Sequence, residues 1–62
     1  MNAELFKWAR ETAGLDLEAG AHALGIKSAK LEAIERGEAE PSRPQLMNMV
    51  RVYRRPLITF YL

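Results

Sequence analysis

The sequence predicts an all-α fold of four to five short helices. Three observations carry this: apolar residues recur at helical spacing in successive segments, helix-start signals stand before most of those segments, and no strand-like alternation occurs anywhere. The 62 residues are enough for one domain, near the lower size limit for a chain that folds without disulfides or metal.

Asn2 is placed to cap a first helix, with Glu4 in the opening turn where the helix dipole favours an acid. Its apolar face is expected to be Leu5, Trp8, Ala9 and Ala13, which makes Trp8 a core or core-edge residue rather than a base-stacking one. Gly14 closes that helix. Asp16 can cap a second, from about Leu17 to Leu24, with Glu18 in its first turn and Leu17, Ala21 and Leu24 on one face. Gly25 can take the positive φ of a tight turn. Lys27 or Ser28 then opens a third helix that runs to about Arg36 and stops at Gly37, with Leu31 and Ile34 on its apolar face and Glu35 beside them.

Two helices joined by three or four residues must touch near the corner, so the smallness of Ala21 matters. The pattern is a helix-turn-helix, the motif whose second helix DNA-binding proteins lay in the major groove. After a short loop, Glu38 to Pro41, Ser42 and Gln45 stand in the S-x-x-Q order of a capping box. Pro44 between them is tolerated because a first turn has no intrahelical use for the missing N–H. Leu46, Met49, Val50 and Tyr53 follow at i, i+3, i+4 and i+7, so a fourth helix reaches about Arg54. Pro56 can serve as the first residue of a last turn or short helix, Leu57 to Leu62.

Nine Lys and Arg against eight Asp and Glu leave a net charge of +1, far from the strong positive charge of a typical nucleic-acid binder. The total hides a gradient. Residues 1–40 hold all eight acids and five bases, a net of −3, whereas residues 41–62 hold four bases and no acid. An anion-facing surface must draw on Arg43, Arg51, Arg54 and Arg55, or on the pair Lys27 and Lys30; the plainer reading of each is a solvated mixed-charge surface. The chain has no cysteine, so neither a disulfide framework nor a thiolate metal site is available. No stretch has the roughly 18 consecutive apolar residues that span a bilayer, and the first ten residues lack the basic start of a signal peptide, so a soluble, cytoplasmic protein is expected.

The order of signals resembles the phage-repressor-like (lambda-repressor-like, or xenobiotic-response-element-type) helix-turn-helix family over nearly the whole chain. The matching marks are Arg10, Gly14-Leu15, Ala21 and Gly25, Leu31 and Ile34, Glu35-x-Gly37, Pro41-Ser42 and the apolar ladder of the fourth helix. The end of the chain, Tyr53-x-Arg55-Pro56-Leu57-x-x-Phe60, looks like the module that stands ahead of the domain in certain metallopeptidase-type regulators. Those longer proteins carry a His-Glu-x-x-His zinc helix. Here the one histidine, His22, lies outside the apolar stripe and has no second ligand, so these residues are expected to hold no metal or other cofactor and to perform no zinc proteolysis.

The resemblance implies that Ser28, Ala29, Glu32 and Ala33 face the bases, with Lys27, Lys30, Arg36 and Arg43 toward phosphates. Ser28 can give or accept a hydrogen bond, an Ala methyl can meet a thymine methyl, and Glu32 can accept from a cytosine N4. No Asn, Gln or Arg fork is present on this face, so more of the binding must come from phosphates and DNA shape. Leu17 stands where the family often has a Gln that grips the DNA. Gly20 stands where an apolar residue usually packs, which predicts a loosened second helix at about 1 kcal/mol of lost helix propensity.

The match also implies that Arg10 and Glu35 form a structural ion pair between the first and third helices. Removing one partner of such a pair, if buried, costs about 3–5 kcal/mol. The apolar end of the chain has three readings. Leu57, Phe60 and Tyr61 could finish the core, leaving Ile58 and Leu62 outside; Ile58, Phe60, Tyr61 and Leu62 could form a homodimer interface; or the end could pack on a further domain of a longer regulator. The leading functional expectation is a transcriptional regulator, a dimeric repressor that binds double-stranded DNA. The alternative is a protein-interaction or antitoxin-like module that presents Glu32, Glu38 and Glu40 to a protein partner. An enzyme is not expected.

Overall fold

Five helical segments and no strand make up the computed structural model, which describes residues 1–62. They are α1 (Ala3–Thr12), α2 (Leu17–Leu24), α3 (Ser28–Glu35), α4 (Arg43–Tyr53) and a final 3₁₀ helix (Leu57–Tyr61). The start signals act as their chemistry requires. The Asn2 side chain accepts from the Glu4 N–H at 3.0 Å, and Asp16 Oδ1 accepts from the Ala19 N–H at 2.7 Å. At α4 both halves of the capping box form: the Ser42 N–H donates to Gln45 Oε1 at 2.8 Å, and the Gln45 N–H donates to Ser42 Oγ at 3.2 Å. Pro56 lies just outside the last helix, in the cap position, instead of inside its first turn.

Gly25 ends α2 with φ 71°, and the Ile26 N–H reaches back to the Ala21 carbonyl at 3.0 Å. That left-handed residue turns the chain so sharply that three residues separate α2 from α3. Ala21, buried at the corner, lets the two helices close. Around this pair the core collects Phe6 and Ala9 from α1, Leu24 from α2, Leu31 and Ile34 from α3, Leu46, Met49 and Tyr53 from α4, and Phe60.

The packing corrects further expectations. The inner face of α1 is Phe6, Ala9 and Arg10, not Leu5, Trp8, Ala9 and Ala13: Trp8 is 45 % exposed, Ala13 is exposed and Leu5 is half-buried. Residues two apart on a helix point to different sides, so burying Phe6 turns Trp8 out. Trp8 instead carries the Arg55 guanidinium, whose Cζ lies 4.7 Å from the ring centroid.

Phe60, expected as an interface candidate, is 0 % exposed and stacks on Phe6 with ring centroids 5.1 Å apart, so it belongs to the core. Tyr61, which the core reading placed inside, is 54 % exposed. Ile58 and Leu62 lie outside with it at 66 % and 79 %.

Gly20 is not a defect. It is buried, and a Cβ there would stand 2.9 Å from Arg10 Cδ and 3.3 Å from Arg10 Cγ. The absent side chain is the passage through which the Arg10 stem crosses α2.

Candidate nucleic-acid interface

The site is built on the seating of α3. Leu31 and Ile34 turn inward and are buried, which fixes the roll of this eight-residue helix. Glu35, one residue on, is drawn back by Arg10. Arg10 Nε donates to Glu35 Oε2 at 2.8 Å, Nη2 donates to Glu35 Oε1 at 3.0 Å, and Nη1 donates to the Leu15 carbonyl at 2.9 Å. The two side chains are 8 % and 7 % exposed. A two-pronged pair of this kind fixes orientation as well as distance, so α1, the α1–α2 connection and α3 are locked together at one point. Hydrogen bonding to Glu35 raises the Arg10 guanidinium further above its ordinary value, against the opposing effect of burial. The ion pair expected between helices 1 and 3 is therefore present and buried.

With Leu31 and Ile34 inside, the 100° step of an α-helix turns Ala29, Glu32, Ala33 and Arg36 to the other side. Ala29, Glu32 and Arg36 are exposed and Ala33 is half-buried. Ser28 and Lys30 occupy the two flanks, both half-buried, and exposed Lys27 precedes the helix as its cap residue. Lys27 makes no side-chain cap bond, so the first N–H groups of α3 remain open at the end that also carries the Lys27 charge. Arg43, exposed at the first position of α4, stands on a separate element from the α3 group.

Glu32 and Arg36 are not independent. Their side chains approach to 3.5 Å across one turn, so part of the Arg36 charge is already answered. Leu17, half-buried, packs against the core and offers no polar group at the start of α2.

One neighbour of this surface was not foreseen from the sequence. Lys7 of α1 lines a 290 Å³ recess together with Arg10, Leu17, Glu32, Glu35 and Arg36. Nothing local links Lys7 to α3, although its place one turn before Arg10 is a usable signal once Arg10 is known to reach α3. His22 is exposed on α2, and no group of three or more His, Cys, Asp or Glu side chains is arranged to hold a metal ion. No helix is long and apolar enough to cross a membrane.

The family model described as "Helix-turn-helix domain" matches residues 3–58, a span that runs from the start of α1 into the 3₁₀ helix. No curated protein and no solved structure matches significantly. The match covers the motif, the buried pair that seats α3 and the helix that supports them, and on that ground the chain belongs to the helix-turn-helix domain family.

Proposed function

We propose that this domain is a sequence-specific DNA-binding transcriptional regulator of the phage-repressor-like kind, a dimeric repressor that reads its operator with α3. The observation that carries the reading is the bracing of α3 by the Arg10–Glu35 pair, which leaves Ala29, Glu32 and Ala33 facing away from the core. In the major groove Ser28 would hydrogen-bond a base edge, the two alanines would meet thymine methyls, and Glu32 would accept from a cytosine amine. Lys27, Lys30, Arg36 and Arg43 would meet phosphates, aided by the open amides at the start of α3. Ile58, Tyr61 and Leu62 would join two copies and set their α3 helices about one DNA turn, ~34 Å, apart. The proposed work is binding rather than catalysis, carried out without a cofactor in the cytoplasm.

A second reading has its own observation. The Glu32 carboxylate stands on the outward face and already occupies Arg36, which lowers the attraction of this surface for phosphate. On that reading the domain is an interaction module whose acidic groups, Glu32, Glu38 and Glu40, meet a protein.

The discriminating experiment is selection of bound duplexes from a random library by the purified chain, at low and at near-physiological salt. A regulator enriches a palindrome with half-sites about one turn apart. With four to six phosphate contacts in the dimer, its affinity falls with salt by about 0.9 log units per contact for each tenfold rise. The double variant Lys27→Glu/Arg43→Glu loses that binding while its helical circular dichroism is unchanged. Enrichment of nothing at either salt refutes the operator reading and favours the interaction module.

A further inference from the structure

Away from α3, the C-terminal ends of α1 and α4 and the side of α2 border an open cleft of 580 Å³. Ala13, Leu15, Ala23 and Val52 give its lining an apolar part, and Arg54 and Arg55 line it beside them. No carboxylate lines it, and neither arginine has an acidic partner. The volume falls in the range of small-molecule sites, about 300–1,000 Å³, and the lining is mixed, apolar side chains standing beside the two arginines.

Of the two arginines, Arg55 is held by its neighbours, whereas the Arg54 side chain is exposed. Arg55 lies on the Trp8 ring and donates from Nη2 to Thr12 Oγ1 at 3.0 Å, while its Nε has no acceptor. Arg54 ends α4 at φ 57°, the left-handed position that glycine fills most easily. The chain therefore carries a long cationic side chain at a position where backbone conformation alone favours its removal. A residue held in a disfavoured conformation beside a cleft points to a role for the side chain.

We propose that this cleft binds a small amphipathic anion, with a carboxylate or phosphate head against Arg54 and Arg55 and a short apolar body over Ala13, Leu15, Ala23 and Val52. The site shares no residue with the α3 face, so its occupancy is measured without DNA and stands or falls apart from the operator reading.

The test titrates the full chain with sodium octanoate, with 1-octanol, which has the same body and no charge, and with inorganic phosphate, which is a head without a body. Trp8, the one tryptophan, reports through its contact with Arg55, and the backbone amides of Ala13, Ala23 and Val52 report by NMR. Octanoate is expected to shift the Trp8 emission and those amides saturably. Octanol should bind at least roughly tenfold more weakly, the worth of one charge-assisted contact, and phosphate should lose about tenfold for every two methylenes that octanoate buries.

Arg54→Gly separates the site from the fold. It should raise Tm, because glycine suits the left-handed position, while weakening octanoate roughly tenfold. Equal affinity for octanol and octanoate, undiminished binding in Arg54→Gly, or shifts confined to Ile58, Tyr61 and Leu62 would each overturn the proposal.

Discussion

Arg10 shows how much one side chain can organise. Its stem passes through the space left by Gly20, its guanidinium closes on Glu35, and a third N–H is spent on the Leu15 carbonyl. Propensity and packing then oppose one another at Gly20. An Ala in mid-helix gains about 1 kcal/mol of propensity, whereas its Cβ would meet Arg10 Cδ at 2.9 Å, and Arg10 cannot move without releasing Glu35. Gly20→Ala is expected to lose about 0–2 kcal/mol net by urea denaturation, an overpacking cost of about 1–3 kcal/mol set against that gain; a gain in stability would mean that Arg10 relaxes freely.

Tyr53, also in the core, carries a polar group without a partner. Its hydroxyl is buried without a hydrogen-bond partner, and burial, with the nearby Glu35 charge, pushes its pKa up to about 12. In the unfolded chain the phenol ionises near its ordinary value of about 10, so between those two pH values only the unfolded state gives up the proton. The stability due to Tyr53 is thus full below pH 10 and falls as pH rises toward 12, by about 2–3 kcal/mol. Tyr53→Phe removes this loss relative to the parent. At neutral pH it should be neutral or stabilising, because no hydrogen bond is broken and an orphan hydroxyl is removed. Chemical denaturation of both proteins at pH 8 and pH 11 checks both statements.

Among the elements, α4 is the most strongly specified locally and α3 the least. The capping box, Pro44 in the first turn and an unbroken apolar ladder all favour the same α4. Ser42→Ala opens one half of that box and is expected to cost about 1 kcal/mol, read as a lower urea midpoint with an unchanged slope. In contrast, α3 has no side-chain cap and no acid in its first turn. Its position comes from Leu31, Ile34 and the pull of Arg10 on Glu35. An eight-residue helix is marginal in isolation, so what aims α3 is tertiary packing rather than propensity. The proposed reading surface is in this sense made by α1.

At the scale of the molecule, burial at the C-terminal end is divided within a few residues. Phe60 completes the core against Phe6, while Ile58, Tyr61 and Leu62 are left outside on the same 3₁₀ turn and at its end. Their exposure is the physical motive for the proposed dimer. Ile58→Glu/Leu62→Glu is expected to leave the thermal transition within a few degrees of the parent, since neither residue is in the core. Sedimentation should then show a monomer where the parent self-associates. Affinity for a palindromic duplex should fall at least about tenfold as two half-site contacts cease to act together. A parent that is monomeric at every concentration would remove the dimer and leave the exposed residues to another partner.

Local chemistry determined the helices. Caps at Asn2, Asp16 and Ser42, left-handed freedom at Gly25 and apolar spacing in α2 to α4 each act within a few residues, so their outcomes are readable along the chain. The Arg10–Glu35 pair was legible too, through a resemblance that already contained the fold. Which way ambiguous faces turned was set by packing. Phe6 and Trp8 compete for the inside of α1, and Phe60, arriving from 54 positions away to stack on Phe6, settles that contest and sends Trp8 out to Arg55. The necessity of Gly20, the recess that Lys7 and Arg36 line together and the cleft bordered by Arg54 and Arg55 have the same origin. Each depends on surfaces that meet only after the helices pack, and spacing along the chain carries no record of that meeting.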